Sequence, residues 1–185
     1  MYDTEMLVCL GGILGSGARV LANELALKYG LHHYDMDRMK IRSFPINKKG
    51  DLTVWQPRSA QERMHVYRTA LDEFPRLAKM YPDAIVDEAF LREVTREYFL
   101  SRAKAFYDPV IFIWIEADQA RVIKNLERMC DQGILPSLEK GLQRRKRVER
   151  LVQEPSSAVP RFRYTTTPEQ AASVLWELIQ ERATR

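Results

Sequence analysis

Gly11-Gly12-Ile13-Leu14-Gly15-Ser16-Gly17-Ala18-Arg19-Val20 is the stretch on which the reading of the fold turns. Gly12 and Gly17 fall on the two glycines of the phosphate-loop pattern G-x-x-x-x-G-K-[ST], but Ala18 stands at the lysine position and Arg19 at the hydroxyl position. The backbone of such a loop is kept, while the side chains that normally hold phosphate and metal are not. Its flanks match the pattern. Met6-Leu7-Val8-Cys9-Leu10 is a short apolar run closed by glycine, which predicts a buried parallel strand. From Ala18 onward Val20, Leu21, Leu25 and Leu27 recur at helical spacing, with Asn23, Glu24 and Lys28 mostly on the polar side and Gly30 as a stop. Glycines between a strand and a helix let backbone N–H groups converge on an anion, and the helix N-terminus adds partial positive charge. Gly12, Gly15, Ser16, Gly17, Ala18 and Arg19 are therefore the candidate phosphate-binding residues. A turn that merely joins strand to helix is the alternative reading of the same residues.

Outward from the loop, strand-like and helix-like segments alternate, the pattern of an α/β fold whose parallel sheet is covered on both faces. Strands are expected over 31–35, 84–87, 109–115 and, more weakly, 162–165, and helices over about 60–80, 91–106, 119–130, 137–153 and 168–182. Residues 44–58, with Pro45, Gly50 and Pro57, read as an irregular excursion. Right-handed crossovers bring the C-terminal ends of all strands to one edge, so the loop, Asp35 and Asp87 are expected to meet there. Asp35 and Asp37 close the second strand at i and i+2, a spacing at which two carboxylates share a magnesium ion or divide between metal and a substrate hydroxyl. The same residues also suit the cap of a following helix. Asp87-Glu88 ends an apolar strand in the manner of a carboxylate that reaches a metal through water, with capping again the alternative.

The stretch from Gly15 to Asp37, GSGARVLANELALKYGLHHYDMD, resembles the opening of the small P-loop kinases, the shikimate, gluconate and nucleoside-monophosphate kinase group. Ala84 to Asp87 with Arg92 and Arg96 is similar to their third strand and the arginine after it. Phe112 to Asp118 through Arg128, then Arg150 to Pro155, resembles the fourth strand, lid and "LQEP" segment of gluconate kinases. The resemblance spans nearly the whole chain and implies a P-loop NTPase three-layer sandwich with a five-stranded, mainly parallel sheet. It further implies ATP or another nucleoside triphosphate and Mg as cofactors, with a small-molecule or nucleotide acceptor. By that analogy Asp35, with Asp87, serves the metal, Asp37 orients the acceptor, and Arg128 acts in catalysis. Arg38, Asp87 and Arg92 would bind substrate, with Arg144 and Arg147 in a lid over 128–147 and an acceptor module over 38–82. The adenine would be expected near 164–167. Those kinases carry Gly-Lys-Ser/Thr where this chain has Gly17-Ala18-Arg19, so their nucleotide-anchoring side chains do not transfer. Cytidylate-kinase-like proteins with a lysine-free GSGG-R loop offer a nearer likeness, in which Arg19 is a regular part of the loop. Arg19 otherwise lies on the helix surface or pairs with Asp37 or Glu24.

Composition bounds the alternatives. With 185 residues, 45% of them hydrophobic, the chain suits a single domain with a sizeable core. No apolar stretch approaches the ~18 residues that span a bilayer, and Asp3 and Glu5 stand where a signal peptide is basic, so no membrane partner and a cytoplasmic location are expected. Cys9 and Cys130 form no metal spacing or disulfide framework, and three histidines support no zinc site or His-based nucleophile. The net charge of +4 gathers late, around 144–147, where Glu139, Glu149 and Glu154 interrupt it. Interrupted charge with few aromatics argues against nucleic acid as the partner and for a solvated face or phosphate-facing lid. The competing reading to a kinase is a nucleotide- or anion-binding pseudokinase that lost catalysis with its lysine.

Overall fold

The computed structural model describes residues 5–43 and 59–184, with the backbone alone at 41–43. The expected excursion over 44–58, Trp55 included, lies outside the described residues, as does that part of the 38–82 module. The apolar runs form a sheet with β1 (Leu7–Gly11) at its centre, between β3 (Ala84–Glu88) and β4 (Val110–Glu116). Outside β3 lies β2 (His32–Tyr34), and outside β4 lies β5 (Arg161–Arg163). Every pairing is parallel, with Leu7 opposite both Ala84 and Val110.

Because side chains alternate across a strand, each central strand serves two helical layers. Leu7, Cys9, Val86, Phe112 and Trp114 pack with α3 (Ala60–Met80) and α4 (Glu93–Ala103), through Tyr67, Phe74 and Phe99. Val8, Leu10, Ile85, Ile113 and Ile115 pack with α1 (Ala18–Tyr29) and α7 (Pro168–Ala183), through Leu21, Leu25, Leu175 and Ile179. The α1–α7 seam is closed by the stacked rings of Tyr29 and Trp176, 4.4 Å between centroids, and by Lys28 Nζ donating to Ser173 Oγ at 2.7 Å. The remaining helices, α2 (Met36–Ser43), α5 (Gln119–Asp131) and α6 (Leu138–Glu149), stand at the C-terminal edge of the strands. There Val122 and Leu126 of α5 form a small buried cluster with Leu135, against which Leu138 and Leu142 of α6 pack.

The helix expected over 91–106 is shorter, Glu93–Ala103, and two further boundaries differ from expectation for visible reasons. The last helix before β5 stops at Glu149 instead of running to 153, because Leu91 and Arg96 take the backbone of Gln153: its N–H donates to Leu91 O at 2.7 Å, and its carbonyl accepts from Arg96 Nη1 at 3.1 Å. β5 ends at Arg163, since Tyr164 turns inward to lie fully buried beneath the loop. Among the described residues, no helix is long and apolar enough to cross a membrane.

Candidate functional site

The loop between β1 and α1 is shaped by positions only glycine fills easily. Gly15 and Gly17 have φ of 84° and 90°, in the left-handed region. A Cβ on Gly17 would also stand 2.5 Å from Tyr164 Cδ1, and one on Gly12 would stand 2.4 Å from Ser16 Oγ. That buried Oγ accepts from the Ala18 N–H at 3.4 Å, while the Ser16 N–H donates to Ile13 O at 2.9 Å. Asn125 of α5 donates to Gly15 O at 2.9 Å, and Arg145 of α6 donates to Leu14 O at 2.6 Å. The turn thus spends its carbonyls on internal partners, and the first N–H groups of α1 have no intrahelical acceptor, as at any helix start. It opens on a cavity of about 260 Å³, whose lining includes Asp37, Lys40, Asp87, Glu88, Arg128 and Arg144.

Arg19 decides the electrostatics of this cavity. Its Nη2 lies 2.6 Å from Asp37 Oδ2 and 3.9 Å from Asp35 Oδ1, and its Nε donates to Asp87 Oδ2 at 3.2 Å. Of the options read from sequence, pairing with Asp37 is the one realised. Burial disfavours the guanidinium's charge, but the three aspartates outweigh it and raise its pKa. Burial would likewise raise the Asp37 carboxyl; Lys40 and Arg19 prevail and hold it down at about 2. The buried Asp87 carboxylate accepts from Arg19 on one oxygen and meets His33 Nε2 at 2.6 Å with the other, which keeps its pKa low against the effect of burial. Asp35 also caps α2, its Oδ1 accepting from the N–H groups of Asp37 and Arg38 at 3.0 and 3.2 Å. Capping and a place at the site coexist in this residue.

Behind Asp37 lies a buried charged group in which Glu88 is legible from sequence as a strand-end carboxylate, while its pairing with Lys40 and Arg63 is not. Lys40 Nζ stands 2.8 Å from Asp37 Oδ1 and 2.6 Å from Glu88 Oε2, and Arg63 Nη1 donates to Glu88 Oε1 at 2.8 Å. Burial would strip the Lys40 charge, but Glu88 and Asp37 raise its pKa instead. Lys40 falls at i+3 from Asp37 on α2, a legible spacing; Glu88 and Arg63 are joined only by the tertiary fold.

The predicted residues divide clearly. Gly12, Gly15, Ser16, Gly17, Ala18, Arg19, Asp37, Asp87, Arg128 and Arg144 all line the cavity, and Asp35 reaches it through Arg19. Arg38, Arg92 and Arg147 are exposed and lie outside the lining, Arg92 at the N-terminal cap of α4. In the predicted lid it is Arg145, which no spacing in the sequence singles out, that reaches the loop. Arg121 lies over the Tyr164 ring, 4.6 Å from its centroid, and donates to the carbonyls of Thr165 and Thr166, so it braces the segment expected near the base.

The sequence places magnesium on Asp35 and Asp87. Both carboxylates, and Asp37 with them, already face one guanidinium, so a divalent ion would have to displace Arg19 or sit against its charge. As arranged, these residues do not fit the ion.

Neither a protein-family model nor a curated protein sequence matches the chain. Solved structures do. A sugar kinase from Janibacter sp. HTCC2649 is similar at a TM-score of 0.67 and 15% identity, covering 96% of this chain and 95% of its own. The APS kinase of Mycobacterium tuberculosis, in complex with AMPPNP and APS, is similar at 0.65 and 17%, over 96% and 98%. A gluconokinase from Sinorhizobium meliloti 1021 is similar at 0.62 and 12%, over 97% and 98%. The chain has the P-loop NTPase fold, a five-stranded parallel sheet with helices on both faces, in the form these kinases share.

Proposed function

We propose that this protein is a P-loop kinase-like phosphotransferase, which binds a nucleoside triphosphate on residues 12–19 and passes its terminal phosphoryl group to a small-molecule or nucleotide acceptor. The observation that carries this reading is the loop itself. Two left-handed glycines and a helix N-terminus open on a cavity whose lining bears arginines and an aspartate. Phosphoryl transfer asks mainly for positioning and charge neutralisation, and each has a candidate here. Backbone N–H groups would hold the triphosphate, with Arg128 and Arg144 of the lining neutralising it. The acceptor would lie toward Lys40, where Asp37 stays ionised at neutral pH and orients a hydroxyl as hydrogen-bond acceptor. A carboxyl held at about 2 is too weak a base to take that proton early, and a loose transition state does not require it to.

Titration calorimetry with ATP and GTP tests the binding step. We expect saturable binding that weakens roughly tenfold in Arg144→Ala and strengthens about as much in Ala18→Lys, which returns the missing lysine to a residue lining the cavity. No heat with either nucleotide, in wild type and Ala18→Lys alike, would overturn the reading. Transfer is then followed as loss of triphosphate in the presence of a panel of sugars, hydroxy acids and nucleoside monophosphates. Binding without transfer to any of them would leave a nucleotide-binding protein and not a kinase.

A further inference from the structure

Arg19 occupies the hydroxyl position of the loop pattern, and its side chain reaches the aspartates at the ends of β2 and β3. We infer that Arg19 is the resident cation of this site: its guanidinium takes the place between Asp35, Asp37 and Asp87 that a divalent ion would take, and the cavity binds its polyphosphate ligand without metal. The inference rests on the reading of the loop as a triphosphate site.

Three observations carry it. The first is geometry: one guanidinium addresses three carboxylates, two at the β2–α2 junction and one on β3, through Nε and Nη2. Among the described residues Nη1 takes part in no ion pair, which leaves it an N–H edge for a phosphate oxygen. A group that bridges carboxylates on one side and phosphate on the other does what a bridging ion does. The second is charge. Asp35, Asp37, Asp87 and Glu88 face Arg19, Lys40 and Arg63, so the cluster carries one excess negative charge, the His33 imidazole left aside. Without Arg19 the excess is two, the complement of a divalent ion; with it, a further two positive charges find too little to neutralise. The third is anchorage. Asp87 is fixed by His33 and Asp37 by Lys40, so the carboxylates cannot readily swing away from Arg19 to attend an ion. Unlike an ion, this cation is covalently part of the chain and cannot be chelated.

The first test uses nucleotide-free protein and Mn²⁺, followed by loss of the free-ion electron paramagnetic resonance signal. Wild type should take up no Mn²⁺ at this site. Arg19→Ser should gain one Mn²⁺ per chain, about tenfold or more tighter than any uptake by wild type, and lose it again when Asp87→Asn is added. Arg19→Lys, which keeps the charge and guards against a folding artefact, should stay metal-free. Mn²⁺ binding to wild type as strong as to Arg19→Ser, or no gain in Arg19→Ser, overturns the inference. The second test titrates ATP with excess Mg²⁺ or with chelator. Wild-type affinity should change less than about threefold between the two, whereas Arg19→Ser should need Mg²⁺ by about tenfold or more. A wild type that loses more than about tenfold in chelator also overturns it. ATP binding in neither condition refutes the triphosphate reading instead, and the Mn²⁺ result alone then decides the role of Arg19.

Discussion

Gly17 meets two demands together. Its φ of 90° lies where L side chains are strained, and the ring of Tyr164 fills the space a Cβ would need. Gly17→Ala therefore strains the backbone and pushes on a buried ring, and should cost about 2–4 kcal/mol in urea unfolding. Gly30 is also left-handed, but a methyl group there would meet none of the described residues, so Gly30→Ala should cost only the backbone strain, about 1–2 kcal/mol. The Asp37 carboxyl gives a pH signature. Its pKa in the folded state is about 2, against 3.8 ordinarily, so the folded protein binds this proton less readily than the unfolded chain. That contribution to stability is complete above about pH 4 and is lost as the pH falls toward 2. Asp37→Asn should flatten the fall in unfolding free energy over this window while lowering stability at pH 7. The effect will be modest, because the side chain is 45% exposed and water screens its partners.

At the scale of elements, Glu88 ties β3 to α2 and α3 through Lys40 and Arg63, and its side chain is only 2% exposed. Glu88→Gln takes from buried Arg63 its anion and from Lys40 one of its two, Asp37 remaining, and should cost about 3–5 kcal/mol, seen as a lower urea midpoint. Lys40→Met should cost less, since Glu88 keeps Arg63. This group marks the limit of what the sequence makes legible. The run of Val66, Tyr67, Ala70, Leu71, Phe74 and Leu77 spells out one face of α3, and Ser59 caps it by accepting from the Glu62 N–H, so a helix over 60–80 is readable. The central strands are equally plain, as apolar runs of strand length. The loop is recognisable because its glycines lie close together in sequence. Lys40, Glu88 and Arg63, by contrast, come from three elements, and no spacing encodes their meeting. The aim of Arg19 is open in the sequence for the same reason: its three partners lie at the ends of other strands. Arg145 cannot be told from its neighbours in a basic run, because only the packing of α6 decides which arginine reaches Leu14.

At the scale of the whole molecule, the layers differ in how firmly they are held. Two large clusters sandwich the sheet, while α5 and α6 rest on a small one and on the Asn125 and Arg145 bonds to the loop. Local opening should therefore be easiest there. Amides of α5 and α6 should exchange with solvent faster than those of β1, β3 and β4, and slow on addition of a triphosphate bridged by Arg128 and Arg144. Mass spectrometry of exchange with and without ATP measures both. The order of strands also governs how the molecule is made. The first strand of the chain is the middle of the sheet, and its neighbours are Ala84–Glu88 on one side and Val110–Glu116 on the other. On a ribosome, where the chain grows at about 5–20 residues per second, the strand that leads into the phosphate loop waits seconds for both partners. The middle of the sheet is thus unpaired on both edges until residues 84–116 have emerged, and for that interval its apolar run stands exposed.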